Sequence, residues 1–253
     1  MDSLRDAAGD LLLGGRCAGC RAPGRRLCAR CGVACIPAPR PAWPTPTPAG
    51  LLEPPVLPVA AAAYAGVVRE LVVGFKEHER FGLVRVLAPM LVASVEHCLA
   101  QLPPGVAPVT LVPMPSAPAA VRARGHDAVA GLARRCAVLM RRRGHDVAVC
   151  QALRPRWRVR DQAGLSASAR ASNLDGALRL RRGVARDRAL LRPIVVVDDV
   201  VTTGSSAAEA VRVLRTAGLD PVALATVAAT RRRRPEAGAA QRARASGDGT
   251  DYR

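Results

Sequence analysis

Asp198 and Asp199 stand side by side after four apolar residues, Ile194, Val195, Val196 and Val197, and ahead of Val200, Val201, Thr202, Thr203, Gly204, Ser205 and Ser206. Two adjacent carboxylates cannot both enter an apolar core. They are expected at the carboxyl end of a strand, where α/β sheets bind ligands. The Thr-Thr-Gly-Ser-Ser turn offers hydroxyls, backbone N–H groups and a helix N-terminus, which together form an anion site. Carboxylates accept from sugar hydroxyls, and amides and hydroxyls hold a phosphate. The chemistry implied is a phosphate beside a diol. The competing reading is an ordinary strand–turn–helix whose acids cap the next helix.

A second set of reactive residues lies near the N-terminus. Cys17 and Cys20 form one Cys-x-x-Cys, and Cys28 and Cys31 form another. Each half makes a tight turn that presents two thiolates, and two such knuckles complete a tetrahedral Zn²⁺ site. Four protein ligands leave no open position, so such a site is structural. Free thiols are the alternative, and Cys35 is a substitute ligand. Cys98, Cys136 and Cys150 are isolated and read as small buried hydrophobes.

The elements that must position these residues follow from periodicity and breakers. The run 194–197 suits a central parallel strand. Ser206 and Glu209 spell a capping box, so a helix is expected from there to about Ala217, ending at Gly218. Residues 109–112, 147–149 and 222–227 read as strands, and a helix is expected to run to about Met140. Residues 59–101 show helical spacing throughout, with Pro89 starting or kinking the second helix. Between them, the polar patch around Lys76, Glu79 and Arg80 reads best as a solvated corner. Residues 36–58 are rich in proline and read as an extended linker. The expected organisation is a four-cysteine zinc-binding module at 1–35, that linker, a main domain at 59–230 and a basic, disordered tail at 231–253. Residues 151–173 read as a basic loop entering a short helix, able to close over a ligand or simply to remain solvated.

The chain has 253 residues, of which 49% are hydrophobic and only 2% aromatic, so its core must be built from Val, Leu and Ala. Its net charge of +18 fits phosphorylated ligands or nucleic acid. All the basic residues but Lys76 are arginines, and enrichment of Arg, Ala, Gly and Pro together fits GC-rich coding as well as function. Scarce aromatics argue against stacking of single-stranded bases. No apolar run reaches membrane-spanning length, and no signal peptide is expected. The expectation is a cytoplasmic protein, not inserted in a membrane, whose cysteines stay reduced.

Residues 194–206 resemble the phosphoribosyl pyrophosphate (PRPP) signature of the type I phosphoribosyltransferases: four apolar residues, two acids and a short Thr/Gly/Ser loop. From about Cys17 to Val227 the chain also resembles the ComF family of competence-associated phosphoribosyltransferase-like proteins. The blocks that carry this are, in order, the paired Cys-x-x-Cys, then Tyr64-Ala65-Gly66-Val67-Val68-Arg69 with Phe75-Lys76 and Arg80. Next come Val112-Pro113-Met114-Pro115 with Arg124-Gly125, and Leu153-Arg154 with Gln162, Leu165, Arg170 and Asn173. The Asp-Asp-Val-Val-Thr-Thr-Gly loop is last. The family usually has Arg-Gly-Phe-Asn-Gln where this chain has Arg124-Gly125-His126-Asp127-Ala128, and glycine where this chain has Glu79.

The resemblance implies an α/β fold of the type I phosphoribosyltransferase kind: Rossmann-like, with a mostly parallel sheet flanked by helices and a small N-terminal zinc ribbon or knuckle. It implies binding of PRPP or ribose 5-phosphate with Mg²⁺ and a role in competence and DNA uptake. The 5-phosphate would lie against Thr202, Thr203, Gly204, Ser205 and Ser206, with Gly204 letting the backbone approach it. Asp198 and Asp199 would act at the ribose. Backbone amides after Val112, with Arg122 or Arg124, would take the pyrophosphate. Phosphoribosyl transfer is the expected activity, to an acceptor that no residue announces. A non-catalytic PRPP-sensing or DNA-uptake factor, working with single-stranded DNA and helicase-type partners, and a zinc-dependent DNA-binding protein are the alternatives.

Overall fold

The computed structural model describes residues 16–77, 81–103, 108–156, 176–184 and 187–230. Glu79, Arg80, Arg158, Arg160, Gln162, Leu165, Ser166, Arg170, Asn173 and the tail at 231–253 lie outside them. The structure is α/β, with a mostly parallel six-stranded sheet between layers of helices.

The sheet runs in the order β1 (Arg40–Pro41), β2 (Leu57–Ala63), β8 (Pro221–Ala229), β7 (Ile194–Val201), β3 (Val109–Pro113) and β4 (Val147–Val149). Only the β1–β2 pairing is antiparallel. The central strands are nearly continuous runs of small or β-branched apolar residues, as expected of strands covered on both faces. After β3 the chain passes through α4 (Pro118–Arg124) and α5 (Ala128–Arg141) to β4 on one side, then returns to β7 on the other. From β7 it continues through α6 (Ser205–Thr216) to β8. The strand order therefore reverses between β3 and β7. A crevice opens at the carboxyl ends of such strands.

Residues 57–63 are a correction to the helical reading of the stretch from residue 59 onward. Its alanines favour helix intrinsically. As β2, however, they pair with β8 from Leu57↔Ala223 to Ala63↔Ala229, and Val59, Ala60 and Ala61 are buried. Helix α2 (Gly66–Glu77) follows, then α3 (Val84–Ala100) with Pro89 inside it. On this face Leu71, Phe75, Leu87, Leu91, Leu132 and Met140 form one apolar cluster with Val195 and Val197. On the opposite face Leu214 and Val211 of α6 pack on Val196 and Leu224. A small antiparallel ribbon, β5 (Leu153–Pro155) with β6 (Leu178–Leu180), lies beside α6.

The proline-rich segment is not a free spacer. Leu51 and Val56 within it are fully buried, in the same cluster as α6. The Arg215 guanidinium of α6 donates to the carbonyls of Gly50, Glu53 and Pro54. Leu51 ends a short 3-10 helix (Ala49–Leu51) within the segment, and it and Val56 reach the core while Leu52 stays exposed. Trp43 is 39% exposed. The N-terminal module, with its short helix α1 (Ala29–Val33), is docked too, with Ala18 and Cys35 buried in the cluster of α2 and α3. No helix among the described residues is long and apolar enough to cross a membrane.

Candidate functional site

Strand β7 runs on through both acids, and Asp198 lies opposite Thr226 of β8. Asp198 then lines a cleft with Val200, Thr202, Thr203, Gly204 and Ser206, backed by Leu224 and Thr226. The cleft encloses about 310 Å³, counting space open to solvent. Thr202, Thr203 and Ser206 are exposed at its rim, while Gly204 is buried. Asp198, Thr202, Thr203, Gly204 and Ser206 are thus brought together, and Ser205 adjoins them.

The helix that closes this cleft starts at Ser205, one residue earlier than expected, with Gly204 at the N-cap in a left-handed conformation, φ 75°. Gly204 has no side chain to cap it, and Thr203 Oγ1 accepts from Ser205 N at 3.4 Å. Its first internal bond runs from Ala208 N to Gly204 O, 2.8 Å, so the preceding N–H groups have no helical acceptor. Thr203 Oγ1 lies 3.0 Å from Ser205 Oγ. The expected Ser206–Glu209 capping box is absent. Glu209 is buried instead, accepting from Leu178 N at 3.2 Å and from Arg212 at 2.6 and 2.9 Å. Nor do the two acids cap the helix: Asp198 Oδ1 accepts from Asp199 N, 2.8 Å, within its own strand.

Gly204 has a second reason to be glycine. A Cβ there would stand 2.6 Å from Pro44 Cγ and 3.3 Å from Leu51 Cδ1 and Pro48 Cδ. The proline-rich segment therefore backs the loop, and the close approach is to that segment. Crowding of a phosphate, the expected reason, is not what these contacts show.

Asp199 has a different environment. Its side chain is only 1% exposed, and Lys76 Nζ lies 2.7 Å from its Oδ2. The reading of Lys76 as part of a solvated corner is corrected here: the last turn of α2 carries it over the end of β7. Both Asp199 oxygens are buried, and apart from the Lys76 ion pair on Oδ2 neither has a hydrogen-bond partner among the described residues. Burial raises the Asp198 carboxyl well above the usual range, and the neighbouring Asp199 charge adds to that, against the pull of Lys76. Burial works against the Lys76 ammonium, but Asp199 and then Asp198 outweigh it and lift it above the usual lysine value.

The expected pyrophosphate-binding residues are not among those lining this cleft. Arg122 and Arg124 lie on the short helix α4, not on an open loop. Arg122 is exposed. Arg124 Nε donates to Ala120 O at 3.1 Å, and its Nη1 donates to the carbonyl of Lys76, at the end of α2. The guanidinium thus ties α4 to the segment bearing Lys76. The turn after Val112 has few amides to offer. Pro113 and Pro115 have none, Met114 N donates to Val197 O, and Ser116 N donates to Asp127 Oδ2.

At the N-terminus the sulfurs of Cys17, Cys20, Cys28 and Cys31 all lie within 4.8 Å of one another, placed to hold one metal ion. Cys20 Sγ and Cys28 Sγ are 3.7 Å apart. Zn–S bonds of about 2.3 Å in a tetrahedron separate sulfurs by about 3.8 Å, so this spacing fits that metal. Burial pushes the Cys17 thiol up, but the backbone amides of Cys20, Cys28 and Gly19 outweigh it and bring it to about 6. Burial and the neighbouring thiols push Cys31 up to about 12. A cation is what lets all four ionise together. Cys35 is not part of the set: its thiol donates to Cys31 O at 3.4 Å. Cys98, Cys136 and Cys150 are buried, as expected.

Two placements were not legible beforehand. The Lys76–Asp199 contact joins residues far apart in the chain, and the seating of Pro44 on Gly204 has no local signal. No family model matches this chain, and no curated protein matches it.

Proposed function

We propose that this is a phosphoribosyltransferase-like protein of the ComF kind that binds PRPP or ribose 5-phosphate in the cleft at the end of β7. One observation carries the reading. Asp198, a hydroxyl-bearing loop and the N-terminus of α6 line the same cleft over β7 and β8. An anion at that helix N-terminus gains from N–H groups that have no helical acceptor and from the helix dipole. The carboxylate a few residues upstream accepts from a sugar hydroxyl.

Mg²⁺ would suit the hard oxygens of the donor's pyrophosphate, and Asp198 is the carboxylate of the cleft that could reach it through water. When bound, it neutralises a departing pyrophosphate. The four cysteines suit structural Zn²⁺, which would fix the N-terminal module against α2. Phosphoribosyl transfer in the cytoplasm, linked to competence and DNA uptake, is the activity most in keeping with this site. Single-stranded DNA and helicase-type proteins are the partners it would serve.

The test is calorimetric titration of PRPP with and without Mg²⁺, followed by pyrophosphate release across nucleobases and ammonia. Micromolar binding with release on one acceptor supports transfer. Binding without release on any acceptor supports the sensing or accessory reading. No binding of PRPP or ribose 5-phosphate refutes the phosphoribosyl reading.

A further inference from the structure

Lys76 is the only lysine in the chain. It spans from solvent to a buried carboxylate: its side chain is 39% exposed, whereas that of Asp199, 2.7 Å away, is 1% exposed. The two acids therefore occupy different places. Asp198 lines the cleft with the Thr/Gly/Ser loop, and Asp199 does not. The lysine is held there from behind, because Arg124 donates to the Lys76 carbonyl at the end of α2.

An ammonium in this position has a definite consequence. Adjacent carboxylates at a strand end are a natural seat for a hard divalent cation. Lys76 already stands on the inner one, supplying charge without an ion that must shed water. Asp199 is almost wholly enclosed, and among the described residues Lys76 is the cation in contact with it.

We propose that Lys76 is the resident cation of this site: it stands on Asp199 where a divalent metal would otherwise sit, and leaves Asp198 as the single carboxylate of the pair that meets the sugar. This rests on the reading of the cleft as a ribose-phosphate site. Any Mg²⁺ requirement then belongs to the pyrophosphate of the donor and not to the ribose 5-phosphate half.

Two independent titrations test it. In the first, Mn²⁺ is the probe, followed by the spin-resonance signal of the free ion, with wild type and Lys76→Ala. Removing the lysine leaves Asp199 without that cation and should create a Mn²⁺ site at least tenfold tighter than any in wild type. Equal Mn²⁺ affinities in the two folded proteins overturn the proposal. Lys76→Gln replaces the alanine variant if that fails to fold.

In the second, ribose 5-phosphate is titrated calorimetrically. Wild type should bind it equally, within twofold, with and without Mg²⁺. The paired variant Lys76→Met with Asp199→Asn, which leaves no buried charge unpaired, should keep affinity within threefold. Asp198→Asn should lose at least tenfold. Similar losses in the paired variant and in Asp198→Asn overturn the division of labour. If wild type binds no ribose 5-phosphate, the sugar reading fails, and the Mn²⁺ titration alone decides the role of Lys76.

Discussion

Gly204→Ala and Gly218→Ala make a matched pair. Both glycines have φ 75°, but a Cβ at Gly218 meets nothing within 4 Å, whereas at Gly204 it meets Pro44 Cγ at 2.6 Å. Forcing an L-residue into the left-handed region costs about 1–2 kcal/mol, the whole expected loss at Gly218. At Gly204 the same strain applies, and overpacking against a rigid proline ring adds about 1–3 kcal/mol. Gly204→Ala should therefore destabilise by about 2–5 kcal/mol in all. Urea unfolding at fixed pH reads both values. The contact has its own signature: Pro44→Ala in the Gly204→Ala background should recover at least half of the excess over Gly218→Ala. Equal losses at the two glycines, or no recovery from Pro44→Ala, would refute the seating of the proline-rich segment on the loop.

Leu51→Ala should cost about 2–5 kcal/mol in the same assay, since the side chain is fully buried; a free spacer would lose less than about 0.5 kcal/mol. Asp198→Asn should raise the melting temperature at neutral pH. The raised carboxyl means that the folded protein binds more protons than the unfolded chain above the usual carboxylate pKa. Wild-type stability from this group therefore falls as pH rises from about 4 through the raised value. The advantage of Asp198→Asn should grow over that window and then level off, and a gap independent of pH would contradict the assignment. Metal analysis should find one zinc per chain, lost in Cys17→Ser or Cys28→Ser and kept in Cys35→Ser. Less than half an equivalent in wild type would end the zinc reading.

Much of the central sheet was legible because its signals are local. The run of β-branched residues from 194, a loop that cannot continue a strand, and a glycine at 218 mark β7, the turn and α6 without reference to the rest of the chain. The paired Cys-x-x-Cys is similarly local, since each knuckle is a turn of four residues, and the structure brings its four sulfurs together. Illegible were elements whose local preference is overruled. The alanines of β2 favour helix, and only pairing with β8 makes them a strand. The prolines of 36–58 signal an extended spacer, and only the burial of Leu51 and Val56 shows that the segment is held.

By itself the sequence determined which residues sit at the carboxyl end of β7 and which chemistry they carry: two acids, hydroxyls, and amides at a helix start. Tertiary structure alone decided how that chemistry is divided. Adjacent residues on a strand share a sequence signature but not an environment. Asp198 meets a cleft because α6 starts beside it, and Asp199 meets an ammonium because α2 ends above it. That difference comes from elements more than a hundred residues apart, packed on the sheet by apolar burial, which no local pattern encodes.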